Sequence, residues 1–172
     1  MKLFLVRHTH AVADKDDPRR RLSPQGRETA QKLAEFFRGK PALDSVHAVW
    51  HSPLLRARET AELLVQGLGL DVLLVETTGL QPDDDPAVVA QRVERLDQAV
   101  MIVGHEPQLS ALATLLVRDK VKPVGFKFKK GAVMALESTG GSHKKSGRTR
   151  WCVCWHFSPE LLTGEAAGAA DE

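Results

Sequence analysis

The strongest constraint on the fold is an alternation along the chain. Short apolar runs at residues 3–6, 46–50, 72–75 and 99–103 are separated by segments whose apolar side chains recur at helical spacing. Apolar runs this short, bounded by polar residues, fit strands buried on both faces, and helical crossovers between them impose a parallel sheet. The first intervening segment opens at Ser23-Pro24, a side-chain cap followed by a proline at the first helical position, and carries Ala30, Leu33, Ala34 and Phe37 on one face. Gly39 and Pro41 end it. The second opens at Ser52-Pro53, with Ser52 as cap, and buries Ala57, Thr60, Ala61 and Leu64 before Gly67 and Gly69. Asp85-Pro86 starts a third, with Val89, Val93 and Leu96 inside, and Glu106-Pro107 a fourth, with Leu109, Leu112, Ala113 and Leu116. The pattern predicts an α/β fold: a mostly parallel central sheet with helices on both faces.

Beyond Lys120 the pattern changes. Residues 124–128, 131–136 and 151–157 read as three strands without intervening helices, the last two joined as a C-terminal hairpin by a long loop at 137–150. The 172-residue length suits one domain. It is expected over residues 1–162, with 163–172, rich in Ala, Gly and Glu, as a flexible tail. A formal net charge of +2 points to neither nucleic acid nor a membrane surface as partner. No apolar stretch approaches the ~20 residues of a membrane span. A strand starting at Lys2 leaves no room for the apolar core of a signal peptide, so a cytoplasmic protein is expected. Cys152 and Cys154, two apart on a strand, share a face and are expected as buried, reduced thiols.

Three strand ends carry chemistry. The first apolar run stops at Arg7-His8, followed by Thr9 and His10; the second at His51-Ser52-Pro53, with Arg56 in the next helical turn; the fourth at Gly104-His105. In open α/β sheets ligands bind outside the carboxyl ends of the strands. Two histidines and two arginines gathered there suit a phosphoryl group: guanidinium groups grip its oxygens in paired, charge-assisted hydrogen bonds. A neutral imidazole can attack phosphorus, and a second can stabilise the oxygens as charge builds. Arginines beside the histidines would repel a divalent cation, so no catalytic metal and no cofactor are expected. His47, His51, His143 and His156 receive structural or surface readings, and Gly104 a role in a tight turn or close approach.

These residues carry a family resemblance. Leu5-Val6-Arg7-His8-Thr9, Leu22-Ser23-Pro24-Gln25-Gly26, the stretch from Ser52 to Ala61, and Val103-Gly104-His105 resemble, in order, the blocks of the histidine phosphatase (phosphoglycerate mutase-like) superfamily. The length, the arginine before Leu-Ser-Pro and the late Phe157-Ser158-Pro159 look most like its SixA-type phosphohistidine phosphatase branch. The resemblance implies a phosphoglycerate mutase-like fold and a covalent mechanism. His8 would be the nucleophile, Arg7 and Arg56 would hold the phosphoryl group, and His105 would stabilise it in transfer. Arg21 is implied near the pocket mouth as a candidate contact, and His10 lines the mouth.

The chain departs from the family at two places. Thr9 stands where a glycine is usual, which would be costly at a left-handed backbone angle. The loop after the third strand, where many members carry a glutamate proton donor, offers Gln81, then Asp83 and Asp84 as weak candidates and Asp85 as a helix cap. A missing acid favours phosphohistidine, whose imidazole leaves more readily than an alkoxide. The leading expectation is therefore a phosphatase acting on a phosphorylated protein, such as a phosphotransfer histidine domain. The alternatives are a phosphatase for a small phosphate ester or anhydride, and a non-catalytic module that recognises phosphate. The basic loop, with Lys144, Lys145, Arg148 and Arg150, either docks an acidic partner or is solvated.

Overall fold

The structure, a computed structural model, describes residues 1–41, 43 and 45–163. Its order is β1 (Lys2–Arg7), α1 (Pro24–Phe37), β2 (Val46–His51), α2 (Leu55–Leu68), β3 (Leu73–Glu76), α3 (Pro86–Val93), β4 (Ala99–Gly104), α4 (Gln108–Arg118), β5 (Val133–Ser142), β6 (Thr149–Phe157) and a terminal turn α5 (Glu160–Thr163). The strands form one six-stranded sheet in the order β3-β2-β4-β1-β5-β6. The first four run parallel, and β5 and β6 are antiparallel. The anticipated α/β architecture is present.

The apolar stripes explain the layers. One side of the sheet packs Leu3, Leu5, Val100 and Ile102 against Val89 and Val93 of α3 and Leu109, Leu112 and Leu116 of α4. The other packs Phe4, Val6, Met101 and Val103 against Leu33, Ala34 and Phe37 of α1 and Ala57, Ala61 and Leu64 of α2. Phe36 stacks on Phe157 and Phe37 on Trp155, which fastens α1 to the hairpin. Strand β1 is buried on both faces because helices cover both.

The caps divide. Ser23 accepts the Gly26 N–H and Asp85 the Ala87 N–H, each with proline next, as expected. Ser52 does not cap α2. That helix begins at Leu55 with no side-chain cap, and the Ser52 hydroxyl accepts the Leu54 N–H in a local turn.

Four expectations are corrected. Residues 124–128 form no strand, and both edges of β1 are taken, by β4 and β5. The segment's polar groups turn to side chains, with the Gly125 N–H on Thr114 Oγ1 and the Phe128 N–H on Glu106. Strand β3 lies one residue later than the apolar run suggests and, at the sheet edge, exposes Leu73, Leu74 and Val75. The long loop is short, because β5 and β6 extend to Ser142 and from Thr149 across an irregularity containing Gly140 in the left-handed region. Cys152 and Cys154 are free thiols but exposed, since β6 is the outer strand of the sheet. Of the expected tail, residues 164–172 lie outside the described residues. No helix among the described residues is long and apolar enough to cross a membrane.

Candidate active site

The site is built by adjacency of β1 and β4. Arg7 and Gly104 are register partners, and the His8 N–H continues the ladder onto the Gly104 carbonyl. The next residue on each strand is a histidine, so the His8 and His105 rings meet with centroids 4.9 Å apart. The turn from β2 is tied to the same end, its Ser52 N–H on the Val103 carbonyl. The first turn of α2 then carries Arg56, whose Nε donates to His8 Nε2 at 3.3 Å. Arg7, His8, Arg56 and His105 thus come from three strand ends to one place.

The hydrogen bonds fix the state of His8. Its Nδ1 is 2.6 Å from the Thr9 carbonyl, which can only accept, so Nδ1 carries the proton. Nε2 is left with its lone pair toward the Arg56 guanidinium. Burial, then the neighbouring His105, and further the charges of Arg56 and Arg7, hold the His8 pKa well below the ordinary histidine value, against the Thr9 bond that raises it. His105 is held down to about 3, by burial first and then by Arg56, Arg7 and Arg20. Both rings are neutral at pH 7. His105 is 1% exposed and neither ring nitrogen has a hydrogen-bond partner. A buried polar group without a partner is costly, and an anion's oxygen would satisfy it.

Local packing holds these groups. Arg7 Nη1 donates to the Phe128 carbonyl at 2.7 Å. Thr60, one turn after Arg56, donates to the Arg56 carbonyl and accepts the Thr9 N–H, which joins α2 to the His8 turn. Thr9 is fully buried and its backbone is not among the left-handed residues, so no strain follows from the absent glycine. Gly26 is required by close approach: a Cβ there would lie 1.9 Å from the His10 carbonyl oxygen. Gly104 is a packing glycine, its Cβ position 3.3 Å from Leu109.

The remaining sequence candidates sit at the rim or elsewhere. The loop of residues 11–22 folds back through an Ala11–Leu22 bridge and is held to α2 by Glu59, which accepts the Leu22 N–H and pairs with Arg27. In it the exposed Arg21 pairs with the buried Asp17 at 3.0 Å. Arg20, its neighbour, has a left-handed backbone and pairs with Asp14, and its charge bears on His10, Arg56 and His105. Arg20, which no sequence motif marks, bears on the site in this way, beside the Arg21 expected at its mouth. His10 lies beside this loop, its Nδ1 2.8 Å from Ser23 Oγ. His51 is buried with Nδ1 on the Ser52 carbonyl, a structural role.

After β3, Gly79 accepts from Gln108, and Leu80 is buried next to the end of β4. Of the aspartates that follow, Asp84 accepts the Gln81 N–H, Asp85 caps α3, and Asp83 is exposed. The basic hairpin loop lies at the opposite end of the sheet, with His143 on the Leu116 carbonyl and Ser146 on Asp119 at the end of α4. Among the described residues, no group of three or more His, Cys, Asp or Glu side chains is placed to hold a metal ion.

Comparisons with known proteins bear on this arrangement. Residues 3–80, from β1 to the loop after β3, match the family model of the histidine phosphatase superfamily, branch 1. No curated protein matches the sequence. Among solved structures, the protein histidine phosphatase SixA complexed with tungstate is 23% identical, with a TM-score of 0.78 over 94% of this chain and 99% of its own. The mycobacterial glucosyl-3-phosphoglycerate phosphatase is 17% identical, with a TM-score of 0.65 over 89% and 96%. A variant of the phosphoserine phosphatase of Entamoeba histolytica, in complex with phosphoserine, is 15% identical, with a TM-score of 0.64 over 94% and 98%. The chain is thus similar to the histidine phosphatase superfamily, branch 1, from β1 through the loop after β3, and shares the fold of SixA over nearly its whole length.

Proposed function

We propose that the protein is a phosphatase that moves a phosphoryl group first to Nε2 of His8 and then to water, and that its substrate is a phosphohistidine-bearing protein. The observation that carries the reading is the state of His8: neutral, buried, protonated on Nδ1 and presenting the Nε2 lone pair among Arg7, Arg56 and His105. In the first step the Nε2–P bond forms and the bond from phosphorus to the leaving group breaks, the leaving group taking its electron pair. Arg7 and Arg56 balance the charge on the equatorial oxygens, the work a metal does in other phosphoryl-transfer sites. His105 faces the phosphoryl group beside His8. The Thr9 carbonyl accepts the Nδ1 proton and so stabilises the positive ring of the phosphorylated imidazole. Water then attacks phosphorus, the Nε2–P bond breaks, and phosphate leaves.

The substrate class follows from proton supply. Asp84 and Asp85 are committed to backbone N–H groups, and an ester would need its alkoxide protonated. The imidazole of phosphohistidine leaves as a neutral ring once protonated by solvent. The likeness to SixA supports this reading, while the likeness to phosphatases of small esters supports the alternative. Comparing kcat/KM on a phosphorylated phosphotransfer domain with that on p-nitrophenyl phosphate and 3-phosphoglycerate tests it. Preference for the protein substrate is expected. Faster turnover of a small ester would assign an ester phosphatase, and phosphate binding with no turnover would assign a recognition module.

A further inference from the structure

The carboxylate next to His105 is not idle. We propose that Glu106 is a positioning residue for Arg7, acting through the backbone of Phe128; this rests on the phosphoryl-binding role given to Arg7 above. The Phe128 N–H donates to Glu106 Oε1 at 2.6 Å, and the carbonyl of the same residue accepts from Arg7 Nη1 at 2.7 Å. One residue's backbone therefore links the residue following His105 to the guanidinium at the end of β1. The Phe128 ring is fully buried and lies 5.0 Å from the His156 ring, so the residue is anchored by its side chain as well.

The need for such a brace is topological. The segment from Asp119 to Gly131 returns from the far end of α4 to the site end of the sheet without entering a ladder. Its orientation is set by side chains: Thr114 holds Gly125, and Glu106 holds Phe128. Glu106 acts beside the packing of the Phe128 ring and the Gly131 N–H on the Arg7 and His8 carbonyls, and it alone of these bonds the Phe128 N–H directly.

Adjacency to His105 suggests a second role, that of proton donor. The contacts oppose it. Oε1 accepts the Phe128 N–H and the Ser110 hydroxyl at 2.5 Å, and Oε2 accepts the Ser110 N–H at 3.3 Å. Every contact uses Glu106 as an acceptor. A glutamine keeps an oxygen for the Phe128 N–H and gives up the acid and the 3.3 Å contact with the Ser110 N–H, so the two roles separate by substitution.

The test measures kcat, KM and inhibition by inorganic phosphate and vanadate for the parent, Glu106→Ala, Glu106→Gln, Arg7→Ala and the double variant. Glu106→Ala is expected to weaken phosphate and vanadate inhibition and raise KM by about tenfold, as for loss of a charge-assisted bond that orients a ligand-binding group. Glu106→Gln is expected to stay within about threefold of the parent. In the Arg7→Ala background, Glu106→Ala should add little, because both act on the same anion contact. Should Glu106→Ala not fold, Glu106→Asp, whose carboxylate is one methylene short of Phe128, carries the same expectation. The proposal is overturned if Glu106→Ala, or Glu106→Asp in its place, leaves anion inhibition unchanged, if the effects of Glu106→Ala and Arg7→Ala add in full, or if Glu106→Gln loses kcat as severely as Glu106→Ala at unchanged KM. Failure of phosphate and vanadate to inhibit the parent, together with an Arg7→Ala variant of parental kinetics, would instead refute the phosphatase reading itself.

Discussion

Two neutral histidines buried beside two arginines make stability depend on pH in a direction that can be worked out. A free imidazole titrates near 6.5, whereas His105 in the folded chain is held down to about 3. Below pH 6.5 the unfolded state takes up a proton at this position that the folded state refuses. Stability from His105 is therefore complete above pH 6.5 and is lost as pH falls from there toward the folded value. At about pH 5 the unfolded imidazole is favoured by protonation roughly thirtyfold, so the loss relative to about pH 7.5 is close to 2 kcal/mol. His8, lowered by burial and by His105 itself, adds to the loss in the same direction. The assay is urea unfolding of the parent and His105→Asn at both pH values. Subtracting the two removes the contribution of carboxylates elsewhere. The parent should lose about 2 kcal/mol more than the variant, and saturating phosphate should shrink the difference by favouring protonated rings. Equal losses in parent and variant would refute the claim that His105 is buried neutral among positive charges.

Three further outcomes follow from particular contacts. Thr60→Val removes the hydroxyl between the Arg56 carbonyl and the Thr9 N–H and should cost about 1–3 kcal/mol in unfolding experiments, with Thr60→Ser recovering most of it. Gly26→Ala places a methyl against the His10 carbonyl and should lower stability by about 1–3 kcal/mol and displace the backbone amide resonances of residues 10 to 22. Arg20→Ala should raise the His105 pKa measured by NMR and weaken phosphate inhibition by about threefold, since its charge faces Arg56 and His105.

The parts of the molecule that followed from sequence are those where a local pattern has one physical solution. The apolar runs of β1 and β4 between amphipathic segments are covered strands, and a capping residue followed by proline opens α1 and α3 at Ser23 and Asp85. The run of β3, by contrast, lies exposed at the sheet edge, and Ser52-Pro53 caps no helix. The gathering of Arg7, His8, Arg56 and His105 was legible because three of them lie at strand ends and Arg56 in the helical turn after one, and the sheet brings its strand ends together. What was hidden depends on partners distant in sequence. The 124–128 segment has strand-like composition, but both edges of β1 are taken, by β4 and β5. Thr60 was visible only as a small inward residue, because its bonds to Thr9 and Arg56 arise from the approach of α2 to β1. Glu106 reads as the start of a helix, and its bond to Phe128 spans 22 residues. The exposure of Cys152 and Cys154 follows from β6 being outermost, which alternation along one strand does not encode.

The central claim is that Nε2 of His8 accepts the phosphoryl group. Rapid acid-free quenching of the protein with a phosphohistidine protein substrate, followed by peptide mapping and phosphorus NMR, measures this directly. The account predicts an acid-labile, base-stable phosphoenzyme on His8, substituted at Nε2 because Nδ1 is held by the Thr9 carbonyl, and absent from His8→Ala. A phosphoryl group on Nδ1 or on another residue, or turnover that persists in a folded His8→Ala, would contradict it.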